Sequence, residues 1–170
     1  MLREVETQFY EFAQNNSGGS FDVDDKVCHR LFIEAVNIHD AIGKALELGV
    51  YFDGCLNGKD CSCCGDRWSE PYDTVDINKK NKDGYSVSVY GHHHENAEDL
   101  WKTKYGSYEI FKAPKWTQRL SMWGRGEYEG KIVFKDIEEY AQFLADEFGW
   151  TIPDCRIFYM NGEVKEFYKN

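Results

Sequence analysis

Three cysteines and a glycine within five positions, Cys61-Ser62-Cys63-Cys64-Gly65, form the densest chemistry in this 170-residue chain. Cys61 and Cys64 have the Cys-x-x-Cys spacing. At that spacing two thiolates of one turn grip a single metal ion while amide N–H groups of the turn point at their sulfurs, and a glycine at position 65 lets the turn close. Such a knuckle needs two further ligands. Cys55 is the nearest candidate, and His92, His93 and His94 follow a predicted strand, so a closed, structural zinc site of Cys55, Cys61, Cys64 and His92 is expected. Two other readings stay open. Buried reduced cysteine behaves as a small hydrophobe, so the same turn followed by Trp68 also describes a packed loop with the histidines at a solvated strand end. A Cys-x-x-Cys also cycles to a disulfide, although thioredoxin-like chemistry places it at a helix start after a strand, which is not its setting here.

Asp66, Arg67 and Trp68 follow the cysteines directly. An arginine forks onto phosphate or carboxylate and a tryptophan stacks on a flat ring, so the trio can bind a small anionic ligand; the reading favoured for any one of these residues is that Asp66 and Arg67, or Asp66 and backbone, lock the turn with Trp68 in the core. The amide-rich loop of Asn15, Asn16 and Ser17, continuing Gly-Gly-Ser, can offer N–H groups to the same anion but lacks the lysine and helix start of a P-loop. Cys28 and His29 are adjacent on a predicted strand and point to opposite faces, which rules them out as a nucleophile–base pair. No other triad, carboxylate pair or dinucleotide fingerprint is present in the sequence.

The elements that must position these groups read as α+β. The run 29–35 alternates like a half-buried strand, Asn37 can cap a helix with the stripe Ile38, Ala41, Ile42, Ala45 and Leu46, and Gly49 stops it before a strand resumes at 50–52. A second unit repeats the pattern. Residues 131–134 lead to Asp136, which with Glu139 makes a capping-box-like start, and the stripe Ile137, Tyr140, Ala141, Leu144 and Phe148 ends at Gly149. Further strands are expected at 6–13, 21–23, 85–90 and 107–112, and Asn161-Gly162 marks a C-terminal hairpin with a two-residue primed turn. The expected architecture is one α+β domain over 1–170: a mixed or antiparallel sheet, two main helices packed on one face of it, and an irregular cysteine-containing insertion at 54–130 between the two strand–helix–strand units.

Composition agrees with a folded chain. Hydrophobic residues make up 42% and only 3 are proline, while an aromatic content of 16% compensates for a modest supply of aliphatics. Net charge is −10, which disfavours nucleic acid and membrane surfaces, but residues 101–131 carry a local +4 with seven interleaved aromatics, a mix able to stack bases. The charged start and the lack of a long apolar run predict a soluble, cytoplasmic protein, where clustered thiols bind metal or stay free.

Three segments, QNNSGGSF at 14–21, CSCCGDRW at 61–68 and RIFYMNGEV at 156–164, together resemble a family of small proteins encoded by tailed bacteriophages. The resemblance implies an accessory protein in the cytoplasm of an infected bacterium that counteracts a host function or defence. Within that setting the residues suggest a binding protein that sequesters a small anionic ligand such as a nucleotide immune signal. An acidic inhibitor that docks on a host protein as a nucleic-acid mimic, a metal-dependent hydrolase using the three histidines and a structural virion protein are the alternatives. A homo-oligomer is compatible with any of them.

Overall fold

A computed structural model describes residues 5–75, 85–90, 107–117 and 125–170, the stretches 85–90, 107–117 and 125–133 by their backbone alone. The chain divides into two compact units, one of residues 1–75 and 141–170, the other of residues 76–140.

The first unit holds a four-stranded mixed sheet and thereby the expected α+β class. Its strands are β1 (Gln8–Ala13), β2 (Arg30–Ala35), β6 (Cys155–Phe158) and β7 (Val164–Phe167), in the order β1-β2-β6-β7. β1 and β2 pair antiparallel with Tyr10 opposite Ile33, β2 and β6 pair parallel with Phe32 opposite Ile157, and β7 closes antiparallel on β6. Position in the sheet explains the patterns. β1, at an edge, buries alternate residues Tyr10 and Phe12, whereas β2, flanked on both sides, buries Leu31, Phe32 and Ile33 in succession, so the expected alternation gives way to a continuous run.

Helix α1 (Ile38–Leu48) starts where Asn37 accepts a hydrogen bond from the Asp40 amide at 2.9 Å. It ends in a Schellman arrangement: Gly49 takes φ 106°, its N–H meets the Leu46 carbonyl, and the Val50 N–H meets that of Ala45. Ala41 and Ala45 bury against Tyr10, Phe12, Leu31 and Ile33 on one face of the sheet, with Leu48 beside them. Leu46, expected in the stripe, is 51% exposed. No strand follows the helix. Residues 50–52 have no partner strand and instead pack their side chains under the sheet, Phe52 lying 6.3 Å from the Phe12 ring.

The second helix, α2 (Ile137–Phe148), begins with the Asp136 carboxylate accepting from the Glu139 amide, while Glu139 reaches back to the Lys135 amide. It stops at Gly149, where a Cβ would collide with the Ala145 carbonyl oxygen. Ala141, Phe143, Leu144 and Ala145 are buried. The Arg30 guanidinium, which shares a sheet face with Phe32, hydrogen-bonds the Phe148 carbonyl, so the end of this helix lies on the face opposite α1. The expectation of both helices on one face is corrected by the same fact that makes β2 buried on both sides: Phe32 and Ile157 also need cover.

The hairpin forms, but its turn is longer than expected. Tyr159 N–H meets the Glu163 carbonyl and Gly162 N–H meets that of Tyr159, which leaves a three-residue loop with a left-handed Gly162 at φ 90° and an Asn161 of ordinary negative φ. Residues 21–23 are not a strand.

In the second unit, β3 (Tyr85–Tyr90), β4 (Ser107–Thr117) and β5 (Arg125–Val133) form an antiparallel sheet in the order β3-β5-β4. The β4 register shifts between Lys112 and Lys115, around Pro114, as suits a residue with no N–H to donate on an edge strand. The three histidines lie outside the described residues.

Candidate functional site

The cysteine segment sits in an irregular loop, residues 52–75, whose backbone is fixed at close intervals. Asp53 adopts φ 56°, and the Asn57, Lys59 and Asp60 amides bond back to the carbonyls of Asp53 and Gly54. Gly54 is required there, because a Cβ would strike the Asp60 carboxylate. The Asp60 side chain is fully buried and accepts from the Tyr51 hydroxyl at 2.6 Å and the Arg67 amide at 2.8 Å. Burial pushes its carboxyl upward, but these bonds and the Arg67 charge outweigh burial and hold it below the usual aspartate value.

This loop docks on the amide-rich loop 44 to 51 residues earlier in the chain, so the two segments singled out as a ligand site do meet. Gln14 and Trp68 form an isolated antiparallel bridge, and the Asn15 amide N–H bonds the Arg67 carbonyl. The Asn15 side chain donates to the carbonyls of Cys64 and Asp66 and accepts from the Ser17 amide. Ser17 is buried; its hydroxyl accepts from the Cys61 amide. Arg67 is buried as well. Its guanidinium donates to the Ser17 and Ser20 carbonyls and the Tyr51 hydroxyl and lies 3.3 Å from Asp22. Asp66 accepts from the Cys55 amide.

These partners revise the expected roles. Arg67, expected to fork onto an anion, is engaged by internal acceptors. Trp68, expected to stack on a ligand, is 1% exposed and part of the core. Asn15, Ser17 and Asp66 bond to backbone within the two loops, and Asn16 alone of the set is exposed with its side chain uncommitted to the 3₁₀ turn it precedes. What the interlocked loops present outward is thiols. The Cys64 amide bonds the Cys61 carbonyl and Gly65 takes φ 84°, so the knuckle turn forms.

The Cys61 and Cys63 sulfurs are 2.7 Å apart, those of Cys63 and Cys64 are 3.6 Å apart, and the three ligand atoms lie within 4.8 Å of one another, a group able to hold a metal ion. Hydrogen bonding from Cys63, then from Cys64, lowers the Cys61 thiol below its ordinary value, while the same contact with Cys61 raises Cys63 to about 11. Cys55, expected as a ligand, is not in this group. Its sulfur donates to the Cys61 carbonyl at 3.4 Å, and burial followed by hydrogen bonding with Asp66 raises its thiol. Cys63, outside the four expected ligands, is in the group instead. Spacing alone concealed this, because a tight turn can bring neighbouring thiols together as readily as those of a Cys-x-x-Cys pair.

A second polar cluster escaped the sequence reading altogether. Asp154, fully buried, accepts from His29 Nδ1 and from Arg30, both at 2.8 Å, and from the amides of Trp150 and Thr151. Burial raises its carboxyl, yet the His29 bond, the Trp150 amide and the Arg30 charge prevail and hold it low. With Asp154 ionised, Nδ1 carries the proton, the orientation a catalytic histidine needs. No nucleophile completes it among the described residues: burial raises the Cys28 thiol to about 12, and its sulfur points at the carbonyls of Arg30 and Asp154. A cavity of about 460 Å³ opens nearby between residues 149–152 and 168–170, with the exposed Trp150 on its wall.

Among the described residues no helix is long and apolar enough to cross a membrane. No curated protein and no solved structure matches the chain. The family described as Domain of unknown function (DUF7296) matches residues 7–112, a span that contains β1, β2, α1 and the whole interlocked pair of loops, and the chain belongs to that family.

Proposed function

We propose that this chain is an accessory binding protein whose 52–75 loop is braced by a zinc ion on Cys61, Cys63 and Cys64 and docks onto a host protein. The observation that carries the reading is the convergence of three sulfur atoms on a turn already fixed from below by Asn15, Ser17 and Asp60. Structural zinc takes four ligands, thiolates among the best, so three sulfurs supply most of a site and a side chain of the docked partner supplies the fourth. Zinc binding deprotonates the thiols and adds its affinity to the stability of the turn that holds them.

The resemblance to phage-encoded proteins supports the setting, the cytoplasm of an infected bacterium. Within it, docking on a protein is better supported than capture of a nucleotide-like anion. Arg67 and Trp68 face inward, whereas Leu56, on the same loop as the thiols, is 86% exposed, and the net charge of −10 suits a basic target.

The full-length protein should carry stoichiometric zinc and, with cobalt substituted, show a thiolate-to-metal charge-transfer band. Cys61→Ser combined with Cys64→Ser should abolish both. A protein that folds and binds neither metal sinks the proposal, and a rise in melting temperature on adding nucleotides would move the function to anion capture.

A further inference from the structure

We infer that Cys61 and Cys63 form a dithiol exchange centre that reduces accessible disulfides, an activity that goes beyond metal binding and does not depend on it. Their sulfurs lie 2.7 Å apart, and a disulfide bond of about 2.05 Å is within a small side-chain adjustment of that separation. The backbone beneath is held. The Cys64 amide closes the turn on the Cys61 carbonyl, and the Cys61 amide is tied to the buried Ser17 hydroxyl. The two thiols are therefore preorganised for ring closure, which favours a second, intramolecular attack over release of the first adduct. Cys63 is exposed and Cys61 half-buried, so a small disulfide can reach the pair, whereas Cys28 and Cys155 are sealed in the core.

The electrons balance in two displacements. The Cys61 thiolate attacks one sulfur of a substrate disulfide, forming a mixed disulfide and expelling a thiolate, which takes the Cys63 proton. Cys63 then attacks the Cys61 sulfur, forming the Cys61–Cys63 bond and expelling the second thiolate, which is protonated by solvent. One substrate disulfide becomes two thiols, and the protein dithiol is oxidised by two electrons. Cys64, 3.6 Å from the Cys63 sulfur, is not required for either step.

The test treats chelator-stripped, fully reduced protein with oxidised glutathione, quenches with acid and alkylating agent, and maps the products by mass spectrometry. Wild type and Cys64→Ser should each lose two hydrogens and show a bond between residues 61 and 63. Cys63→Ser combined with Cys64→Ser should instead accumulate glutathione on Cys61, because no neighbouring thiol is left to resolve the adduct. The inference is overturned if wild type stays reduced, stops at a stable adduct, or forms its bond at other cysteines or between chains. Metal binding is read separately from the cobalt spectrum. A chain that binds no metal and still closes the bond refutes the zinc reading alone, and one that binds metal yet does not close the bond after chelation refutes this inference alone.

Discussion

Two buried carboxylates organise the two irregular parts of the first unit, and they do so to different ends. Asp154 gathers His29, Arg30 and the amides of Trp150 and Thr151 where β2 and β6 begin their parallel pairing, and every contact it makes points into the protein. Asp60 gathers Tyr51 and Arg67 in the 52–75 loop, and the chain it anchors turns its thiols outward. A buried charge that is fully partnered specifies geometry more than it adds stability, because desolvation offsets most of the attraction. At Asp154 the specified geometry is the sheet itself. At Asp60 it is a platform for three sulfur atoms, which makes the second cluster the one built for chemistry.

Of the two carboxylates, Asp154 is the more costly to lose. Asp154→Asn should cost about 4 kcal/mol in denaturant unfolding, since it leaves the Arg30 guanidinium without its buried counter-charge. The carboxyl sits below its ordinary value, so its stabilisation is fully present above the unfolded aspartate value of about 4 and is lost as pH falls through the lower folded value. The variant should accordingly show a shallower fall in stability below about pH 4 than wild type, the remainder belonging to Asp60 and the other carboxylates held low. An unchanged acid limb would mean that Asp154 does not set it. Arg67→Ala should cost somewhat less, about 3 kcal/mol, by removing the charge beside the Asp60 carboxylate and the donors to the Ser17 and Ser20 carbonyls. Unlike Asp154→Asn it should also weaken cobalt binding, measured by competition with a chelating dye; equal cobalt affinity in the two variants would dissolve the distinction between the nodes.

The sequence made one node visible and hid the other for a physical reason. Asn37, Gly49, Asp136 and Glu139 act within a turn of where they stand, so capping and helix boundaries could be read directly. The cysteine turn is likewise local, and its spacing announced it, although which sulfurs converge depended on backbone angles that spacing does not encode. His29 and Asp154 are 125 residues apart, and their bond exists only because β2 and β6 pair in parallel, a long-range register no local pattern specifies. The same holds for Arg67. Its side chain looked available because its acceptors are carbonyls of Ser17 and Ser20, and backbone acceptors have no sequence signature. The single-face placement of both helices failed on β2, whose consecutive buried residues signal a strand covered on both sides.

A smaller perturbation separates support of the thiols from support of the fold. Asn15 reaches from one loop to the carbonyls of Cys64 and Asp66 in the other, so Asn15→Ala should cost about 1 kcal/mol, the usual worth of a hydrogen bond. Asn37→Ala removes the α1 cap and should cost about the same. If stability alone governed the cysteine turn, the two variants would behave alike. If the turn is positioned by its contact with the amide-rich loop, Asn15→Ala should slow closure of the Cys61–Cys63 bond several-fold under conditions where both variants are fully folded. Asn37→Ala should then close it at the wild-type rate, because α1 packs on the sheet and its cap touches neither loop.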